Sequence, residues 1–342
     1  MRQSSRLWPS FRRTVIALTA LLGACIVPGN ESAFNPAGPQ AGRISTLWWF
    51  MLAAATAVWV VVMVFLAWAV RRSRQRDQAL REPAGDASMQ RGVVVGGALT
   101  VLILTAFLIA DIATGRALGA LPRKNALRVE VIGHQWWWEV NYIDPTPGRI
   151  VTTANEIHIP VGEPVQIIGS SPDVIHSFWI PNLHGKKDLV PGHTTSTWLR
   201  ADKPGVYRGQ CAEFCGAQHS KMTALVIAEP RPQFDAWYNA QLASARPPSN
   251  PVTARGQDVF LKSSCVVCHT ISGTLAAGTL GPTLSHVGSR LTLASGSLPN
   301  TPGNLAAWIV DPQRIKPGTR MPSSNMNQAD LQALVTYLES LK

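Results

Sequence analysis

One loop-sized stretch of the chain, CAEFCGAQHSKM at positions 211–222, carries four side chains that bind soft metals. Cys211 and Cys215 are followed by His219 and Met222, and a further histidine, His176, lies upstream in SSPDVIHSF. Thiolate, imidazole and thioether ligands together favour copper over hard cations, whereas structural zinc makes no use of methionine. The pattern predicts a copper site. A disulfide between the two cysteines is the alternative, and it would leave His219 and Met222 without a role.

A second close cysteine pair lies in SSCVVCHTI, where Cys265, Cys268 and His269 form the C-x-x-C-H sequence that attaches a c-type haem. The two thiols would add across the haem vinyl groups, and the histidine would lie beneath the iron as an axial ligand. Half of a zinc ribbon is the alternative, but the five cysteines of the chain include no second C-x-x-C pair.

The elements around these two motifs differ in character. From residue 121 onward, segments such as LRVEVIGHQWWWEV and MTALVIAE are short and rich in β-branched and aromatic residues, which predicts an antiparallel β-sandwich or barrel over 121–230. Residues 231–251 combine a short helical piece with a proline-rich linker. In the last part of the chain, 252–342, apolar residues at helical spacing predict the core face of a closing helix: Leu331, Leu334, Val335 and Leu338.

Two apolar stretches, 44–70 and 92–112, are long enough to span a membrane and form a predicted transmembrane hairpin within 25–120. The segment between them contains six arginines, which places it in the cytoplasm by the positive-inside rule and both termini outside. The net charge of +11 is partly explained by this topology. No basic face with interleaved aromatic residues is present in the sequence, which argues against nucleic-acid binding.

Residues 1–24 have the pattern of a secretion signal, with arginines before a short apolar run that ends in LLGAC. This ending is typical of a lipoprotein cleavage box, so Cys25 is predicted to be lipidated and to become the mature N-terminus. The alternatives are an ordinary signal peptide with an incidental cysteine and an uncleaved anchor.

Four segments, SSPDVIHSFWIP, KKDLVPG, GVYRGQCAEFCGAQHSKM and GHQWWW, resemble subunit II of cytochrome c oxidase, and the resemblance covers both spans and the whole β-domain. It implies a cupredoxin-like sandwich with a binuclear copper A centre. It further implies that two thiolates bridge the coppers, that each imidazole binds one copper, and that a thioether and a backbone carbonyl complete the set: Cys211, Cys215, His176, His219, Met222 and the carbonyl of Glu213. The side chain of Glu213 is implied as a magnesium ligand at the contact with subunit I, with a solvated loop glutamate as the alternative.

The same resemblance implies that Trp136 is the surface entry point for electrons from cytochrome c. If the segment is a strand, Trp136 and Trp138 share one face and Trp137 takes the other. One departure concerns protons: the family usually carries a glutamate at the cytoplasmic start of its second span, and SMQRGVVV has none.

Residues 252–342 resemble the small all-α class I cytochromes c, in which the methionine of the KPGxxMP loop is an axial haem ligand. This nominates Met321, with Met326 as the competitor. The fusion resembles subunit II of a caa-type terminal oxidase in a bacterial inner membrane, with subunits I and III and an upstream donor such as cytochrome c as partners. A tethered haem domain would face the copper domain at an effective concentration on the order of millimolar.

Two other functions remain open. The chain could deliver electrons to a different terminal reductase, such as one acting on a nitrogen oxide. It could also be a copper-delivery lipoprotein, although a copper carrier has no use for a covalent haem.

Overall fold

The computed structural model describes residues 31–75, 86–119, 126–146 and 148–342. The chain divides into two compact units, one comprising Gly42–Arg123 and the other the remainder of the protein. The predicted signal segment and Cys25 lie outside the described residues, so cleavage and lipidation stay predictions.

The smaller unit consists largely of two long helices, α1 (Pro39–Gln75) and α2 (Asp86–Gly119). They extend beyond the predicted apolar spans at both ends. Each contains a window with a mean hydropathy of 2.5 or 2.6, and each is long and apolar enough to cross a membrane. At about 1.5 Å per residue, either helix is longer than the roughly 30 Å of a bilayer's hydrocarbon core.

The β-domain is a sandwich of two five-stranded sheets. The first sheet has the order β3-β2-β1-β5-β8, and the second has the order β4-β10-β9-β6-β7. Each sheet contains one parallel pair, β1 with β5 and β4 with β10, so the sandwich is mixed where the sequence predicted an antiparallel one. The strands are β1 (Leu127–His134), β2 (Trp137–Ile143), β3 (Val151–Ala154), β4 (Glu156–Pro160), β5 (Val165–Ser170), β6 (His176–Trp179), β7 (Lys187–Leu189), β8 (Thr195–Leu199), β9 (Gly205–Cys211) and β10 (Thr223–Glu229).

Alternating apolar residues of both sheets form the core of the sandwich. Val129 and Val131 of β1 are fully buried, as are Trp138 and Val140 of β2, whereas the residues between them are more exposed. This period-two pattern is the one expected when one face of each strand packs inward.

The second sheet positions the predicted copper ligands. Strand β6 begins at His176, and its Phe178 is paired with Cys211, the last residue of β9. The chain then forms the loop that carries Cys215 and His219, and β10 begins directly after Met222. Two neighbouring strand ends therefore present the histidine and the cysteine loop at the same edge of the sandwich.

The predicted linker is divided between the two domains. Helix α3 (Arg231–Gln241) buries Phe234 and Tyr238 against the sandwich core. Two residues after this helix, the carbonyl of Ala243 is hydrogen-bonded to His286 Nε2, and the amide of Ala245 donates to the carbonyl of Ser272. The chain therefore passes from one domain to the other at about residue 242.

The C-terminal domain is helical, as predicted, with a small β-ribbon in addition. Its core includes Leu334, Val335 and Leu338, with Leu331 packed against it, which confirms the predicted face of the closing helix. The elements are α4 (Pro251–Lys262), α5 (Cys265–Cys268), β11 (Thr292–Leu293), β12 (Leu298–Pro299), α6 (Pro302–Val310), α7 (Pro312–Ile315) and α8 (Gln328–Ser340).

Candidate metal centre and haem attachment site

The soft donor atoms converge at one buried point of the β-domain. The Sγ atoms of Cys211 and Cys215 lie 3.7 Å apart, and both thiols are free and buried. His176 Nδ1 is 3.8 Å from Cys211 Sγ, and His219 Nδ1 is 3.6 Å from Cys215 Sγ. Met222 Sδ lies 3.9 Å from Cys215 Sγ, and the carbonyl oxygen of Glu213 lies 3.2 Å from Cys211 Sγ. All the donor groups named for copper in the sequence are thus brought together.

The ring of His176 is held in one orientation. Its Nε2 lies 2.9 Å from Asp173 Oδ1, which leaves Nδ1 directed at the sulfur of Cys211. Behind the ring, a Cβ added to Gly133 would approach His176 Cδ2 to 2.8 Å, so the backbone of β1 packs directly against the imidazole. A carboxylate on the remote nitrogen of a metal-binding histidine fixes its tautomer and increases its basicity.

The electrostatics of the two thiols favour a bound cation. The hydrogen bond with Cys215, despite burial, holds the pKa of Cys211 far below its usual range, with help from His176. The pKa of Cys215 is raised, because a second thiolate beside the first and inside the protein is disfavoured. A multivalent cation between the sulfurs would remove this penalty and allow both to ionise.

The pKa values of His176 and Asp173 shift in opposite directions, so that each residue favours its charged form. Burial alone would lower the pKa of His176, but its hydrogen bonds with Cys211 and Asp173 raise it. Burial alone would raise the pKa of Asp173, yet hydrogen bonds from His176 and from the amides of Val174 and Gln135 lower it. The carboxylate therefore stays ionised beside the imidazole.

Trp136 contacts the metal loop, residues 211–222, through its indole. Its Nε1–H donates to the carbonyl of Cys215 at 2.9 Å, and Gln135 Nε2 donates to the same oxygen at 2.8 Å. Trp136 lies in the turn between β1 and β2 and not in a strand, so the predicted sharing of one strand face with Trp138 is wrong. The turn leaves Trp136 partly exposed, whereas Trp138 is buried in the core.

The side chain of Glu213 forms an ion pair at the protein surface. Its Oε2 lies 3.1 Å from Lys186 Nζ, and both side chains are more than two-fifths exposed. The predicted magnesium ion at this carboxylate stays a prediction.

The haem-attachment sequence forms a single helical turn. Cys265 and Cys268 begin and end α5, and both thiols are free. His269 Nδ1 is hydrogen-bonded to the carbonyl of Pro282 at 2.7 Å, which leaves Nε2 as the metal-binding nitrogen. Burial lowers the pKa of His269, so the imidazole is kept neutral, as a ligand must be. A Cβ on Gly281 would lie 2.8 Å from His269 Cε1, so the backbone packs closely against this ring as well.

Both candidate axial methionines, Met321 and Met326, pack against the core of the C-terminal domain. The carbonyl of Met321 accepts a hydrogen bond from Gln313 Nε2, which ties the loop to α7. The choice between the two methionines stays a prediction.

The donor chemistry fits the implied cofactors. Two thiols, two imidazoles and a thioether at one buried point suit copper better than zinc or a hard cation. A partly exposed pair of thiols one turn apart, followed by a histidine whose Nε2 is left for a metal, suits a covalent c-type haem. A mixed β-sandwich with such a set of donor atoms, followed by a cytochrome-like helical domain and preceded by two helices long and apolar enough to cross a membrane, defines the class of a redox protein.

Similarity to known proteins identifies the family. Residues 127–229 match the family described as "Cytochrome C oxidase subunit II, periplasmic domain", and residues 253–342 match "Cytochrome c". Cytochrome c oxidase subunit 2 of Alkalihalophilus pseudofirmus is 35% identical, with 98% of this chain and 99% of the relative covered. The chain belongs to the cytochrome c oxidase subunit II family, and within it carries a C-terminal cytochrome c domain.

Other relatives have the same description. Cytochrome c oxidase subunit 2 of Bacillus subtilis is 26% identical, with 94% of each chain covered. Among solved structures, the periplasmic domain of subunit II of cytochrome oxidase of Bradyrhizobium japonicum is 27% identical, with 36% of this chain and 96% of that chain covered and a TM-score of 0.33. The curated relatives confirm the oxidase prediction and do not favour the copper-delivery alternative.

Several residues at the site escaped prediction from the sequence. Asp173 precedes His176 by three residues, and this spacing could have suggested its role, but the Asp-x-x-His pattern is common. Gln135 and the carbonyl of Pro282 carry no sequence signal, because they reach their partners only through the fold.

Proposed function

We propose that this subunit accepts electrons at a c-type haem held by Cys265, Cys268 and His269 and passes them by way of Trp136 to a binuclear copper A centre. When bound, these two groups supply one-electron redox chemistry that no protein side chain here provides. Cys211 and Cys215 would bridge the two coppers. The terminal ligands would be His176, His219, Met222 and the Glu213 carbonyl.

The convergence of the donor atoms carries this proposal. All of them lie within a few ångströms of the two sulfurs, in a rigid setting formed by strand ends and by the Asp173 carboxylate. A preformed ligand set changes little when the charge on the metals changes, which is what rapid electron transfer requires. Trp136 adds an aromatic side chain that is partly exposed and hydrogen-bonded to the backbone of a bridging cysteine.

The proposed partners follow from the family. Subunit I would receive the electrons and reduce oxygen to water, coupled to proton translocation, and subunit III would complete the assembly. An external cytochrome c or another upstream donor would reduce the haem. We place the protein in a bacterial inner membrane, with two spans and both large domains on the outer side, and a magnesium ion at Glu213 against subunit I.

The haem iron would be ligated by His269 and by Met321. A histidine–methionine pair raises the haem potential, as an electron carrier to an oxidase needs.

Metal and haem analysis of the purified chain, with electron paramagnetic resonance, tests the proposal. We expect two coppers that share one unpaired electron, together with one covalent haem. A chain grown with ample copper that contains a Cys211–Cys215 cystine and no copper would contradict the proposal.

A further inference from the structure

The cytochrome domain rests directly on the metal loop of the β-domain. Lys221 Nζ donates to the carbonyl of Ile315, and Gln218 Nε2 donates to the carbonyl of Pro317. Arg320 donates to Gln135 Oε1 at 3.2 Å. The segment Ile315–Met321, which carries the proposed axial methionine, is therefore hydrogen-bonded to residues on both sides of His219, a proposed copper ligand.

Lys316 lies at the centre of this contact. Only 3% of the residue is exposed, and its Nζ donates to the backbone carbonyl of Trp136 at 2.8 Å. The indole of the same Trp136 donates to the carbonyl of Cys215. Two hydrogen bonds that share Trp136 thus join Lys316 to Cys215, a proposed copper ligand.

A second contact lies away from the metal ligands. The carboxylate of Glu156, a buried residue, accepts hydrogen bonds from the amides of Leu291 and Thr292 at 3.0 and 2.8 Å and from the Thr292 hydroxyl at 3.0 Å. Ser295 exchanges hydrogen bonds with the backbone of Thr223, the residue after Met222. A buried charge that is satisfied only across a domain contact makes that contact costly to open.

We propose that Lys316 is a positioning residue which, together with Glu156, holds the cytochrome domain in one fixed position on the metal loop. This docked position is called the seat below. Electrons then cross from a docked domain and not after a search by a tethered one. This inference rests on the proposed direction of electron flow from haem to copper. It also assigns the face around Trp136 to the chain's own cytochrome domain, so an external donor delivers its electron to that domain.

The test uses the full chain in the assembled oxidase and compares Lys316→Met with Lys262→Met. Methionine fills the volume of the lysine stem but cannot donate to the Trp136 carbonyl. Lys262 is an exposed lysine of the same domain, paired with Asp258 across one helical turn, and is the matched control. The first readout is the rate of haem reoxidation by copper after photoreduction of the haem. The second is the amide exchange of Leu291 and Thr292, which does not depend on electron transfer.

We expect Lys316→Met to slow haem-to-copper transfer roughly tenfold or more, because small misplacements of reacting centres have large effects on rate. We also expect faster exchange of the Leu291 and Thr292 amides, since a loosened domain withdraws them from Glu156. Lys262→Met changes neither readout. If Lys316→Met matches Lys262→Met in both readouts while both metal spectra are intact, the proposal is wrong.

If Lys316→Met loses its copper spectrum, Glu156→Gln decides the matter. Its control is Glu163→Gln, because the partly exposed Glu163 carboxylate pairs with Arg231 of α3 and not with the cytochrome domain. We expect Glu156→Gln to slow transfer and to speed amide exchange in Lys316–Met321, whereas behaviour like that of Glu163→Gln overturns the proposal. A wild-type chain that transfers no electron from haem to copper contradicts the proposed function. In that case the exchange measurements still decide whether the seat exists.

Discussion

At the scale of single residues, the same device orients two imidazoles in unrelated folds. His176 bonds through Nε2 to Asp173, His269 bonds through Nδ1 to the carbonyl of Pro282, and in each case the other nitrogen is left for a metal. Behind each ring lies a glycine, Gly133 or Gly281, whose backbone packs closer than any side chain would permit. In each case the hydrogen-bond partner fixes the orientation of the ring, and the glycine allows the backbone to pack directly against it.

Gly133→Ala should therefore release copper. The new Cβ would lie 2.8 Å from His176 Cδ2, so the ring has to turn away from Cys211 Sγ or β1 has to shift. We expect a copper content well below two per chain, or a changed electron paramagnetic resonance spectrum, at wild-type haem content. Gly169→Ala, which crowds Leu189 and the Thr195 hydroxyl but no proposed ligand, is the control and should keep its copper. Equal spectra for Gly133→Ala and the wild type would contradict this prediction.

Lys316 gives the domain contact a dependence on pH. Burial, and then the nearby charge of Lys221, lowers the pKa of Lys316 from 10.5 to about 7, while Cys215 acts in the opposite direction. Burial in the docked state disfavours the charged ammonium group, and the neutral amine can still donate to the Trp136 carbonyl. Docking therefore favours the deprotonated form of Lys316. The undocked lysine binds more protons between about pH 7 and 10.5, and the docked state therefore gains stability as the pH rises through that window.

Amide exchange at Thr292, corrected for its intrinsic pH dependence, measures this effect. We expect stronger protection at pH 9 than at pH 6 in the wild type. In Lys316→Met the difference should be lost. An unchanged difference in that variant would assign the pH dependence to another group.

Sequence reasoning succeeded where the site is local and fell short where it depends on tertiary structure. Cys211, Cys215, His219 and Met222 lie in one loop, so their spacing alone brings them near each other. His176 could be named only as an upstream histidine, and its spacing could not place it near the loop, because its strand pairs with β9 from a distant part of the chain. Nothing in the spacing of Lys316 indicates that it is buried, since its partner is 180 residues away and in another domain.

At the scale of elements, the cytochrome domain depends on the contact between its first and last long helices, α4 and α8. Gly256 of α4 packs on the backbone of α8, and an added Cβ would lie 2.1 Å from the carbonyl oxygen of Ala333 and 2.6 Å from Tyr337 Cβ. The backbone carbonyl cannot move aside as a flexible side chain could. The apolar spacing predicts the closing helix, but it does not reveal that the helix packs closely against Gly256.

Gly256→Ala should destabilise this domain by about 1–3 kcal/mol, the usual cost of overpacking. Urea unfolding followed by haem absorbance measures the change. Gly303→Ala is the matched control, because Gly303 lies in α6 and its added Cβ meets no atom within 4 Å. In the control, the higher helix propensity of alanine should leave stability unchanged or raise it by up to about 1 kcal/mol. Equal urea midpoints for both variants would show that α4 and α8 can separate freely.

At the scale of the whole molecule, the connection between the β-domain and the cytochrome domain is shorter than its composition suggested. Helix α3 belongs to the core of the sandwich, and Ala243 and Ala245 are already bonded to the cytochrome domain. The prolines at 247 and 248 lie after this crossing and serve the approach to α4, where Asn250 caps the helix. A tether of this length leaves little room for a search, so the domain contact and the covalent connection support the same arrangement.

Lengthening the connection separates their contributions. Four Gly/Ser residues inserted between Leu242 and Ala243 should change the haem-to-copper rate by less than about twofold, because the seat at Lys316 and Glu156 holds the domain without the tether. In a Lys316→Met background the same insertion should slow transfer further, since effective concentration falls as a flexible tether grows. The two changes together should then exceed the sum of their separate effects on the logarithm of the rate. If the insertion alone slows transfer as much as Lys316→Met does, the tether and not the seat sets the rate.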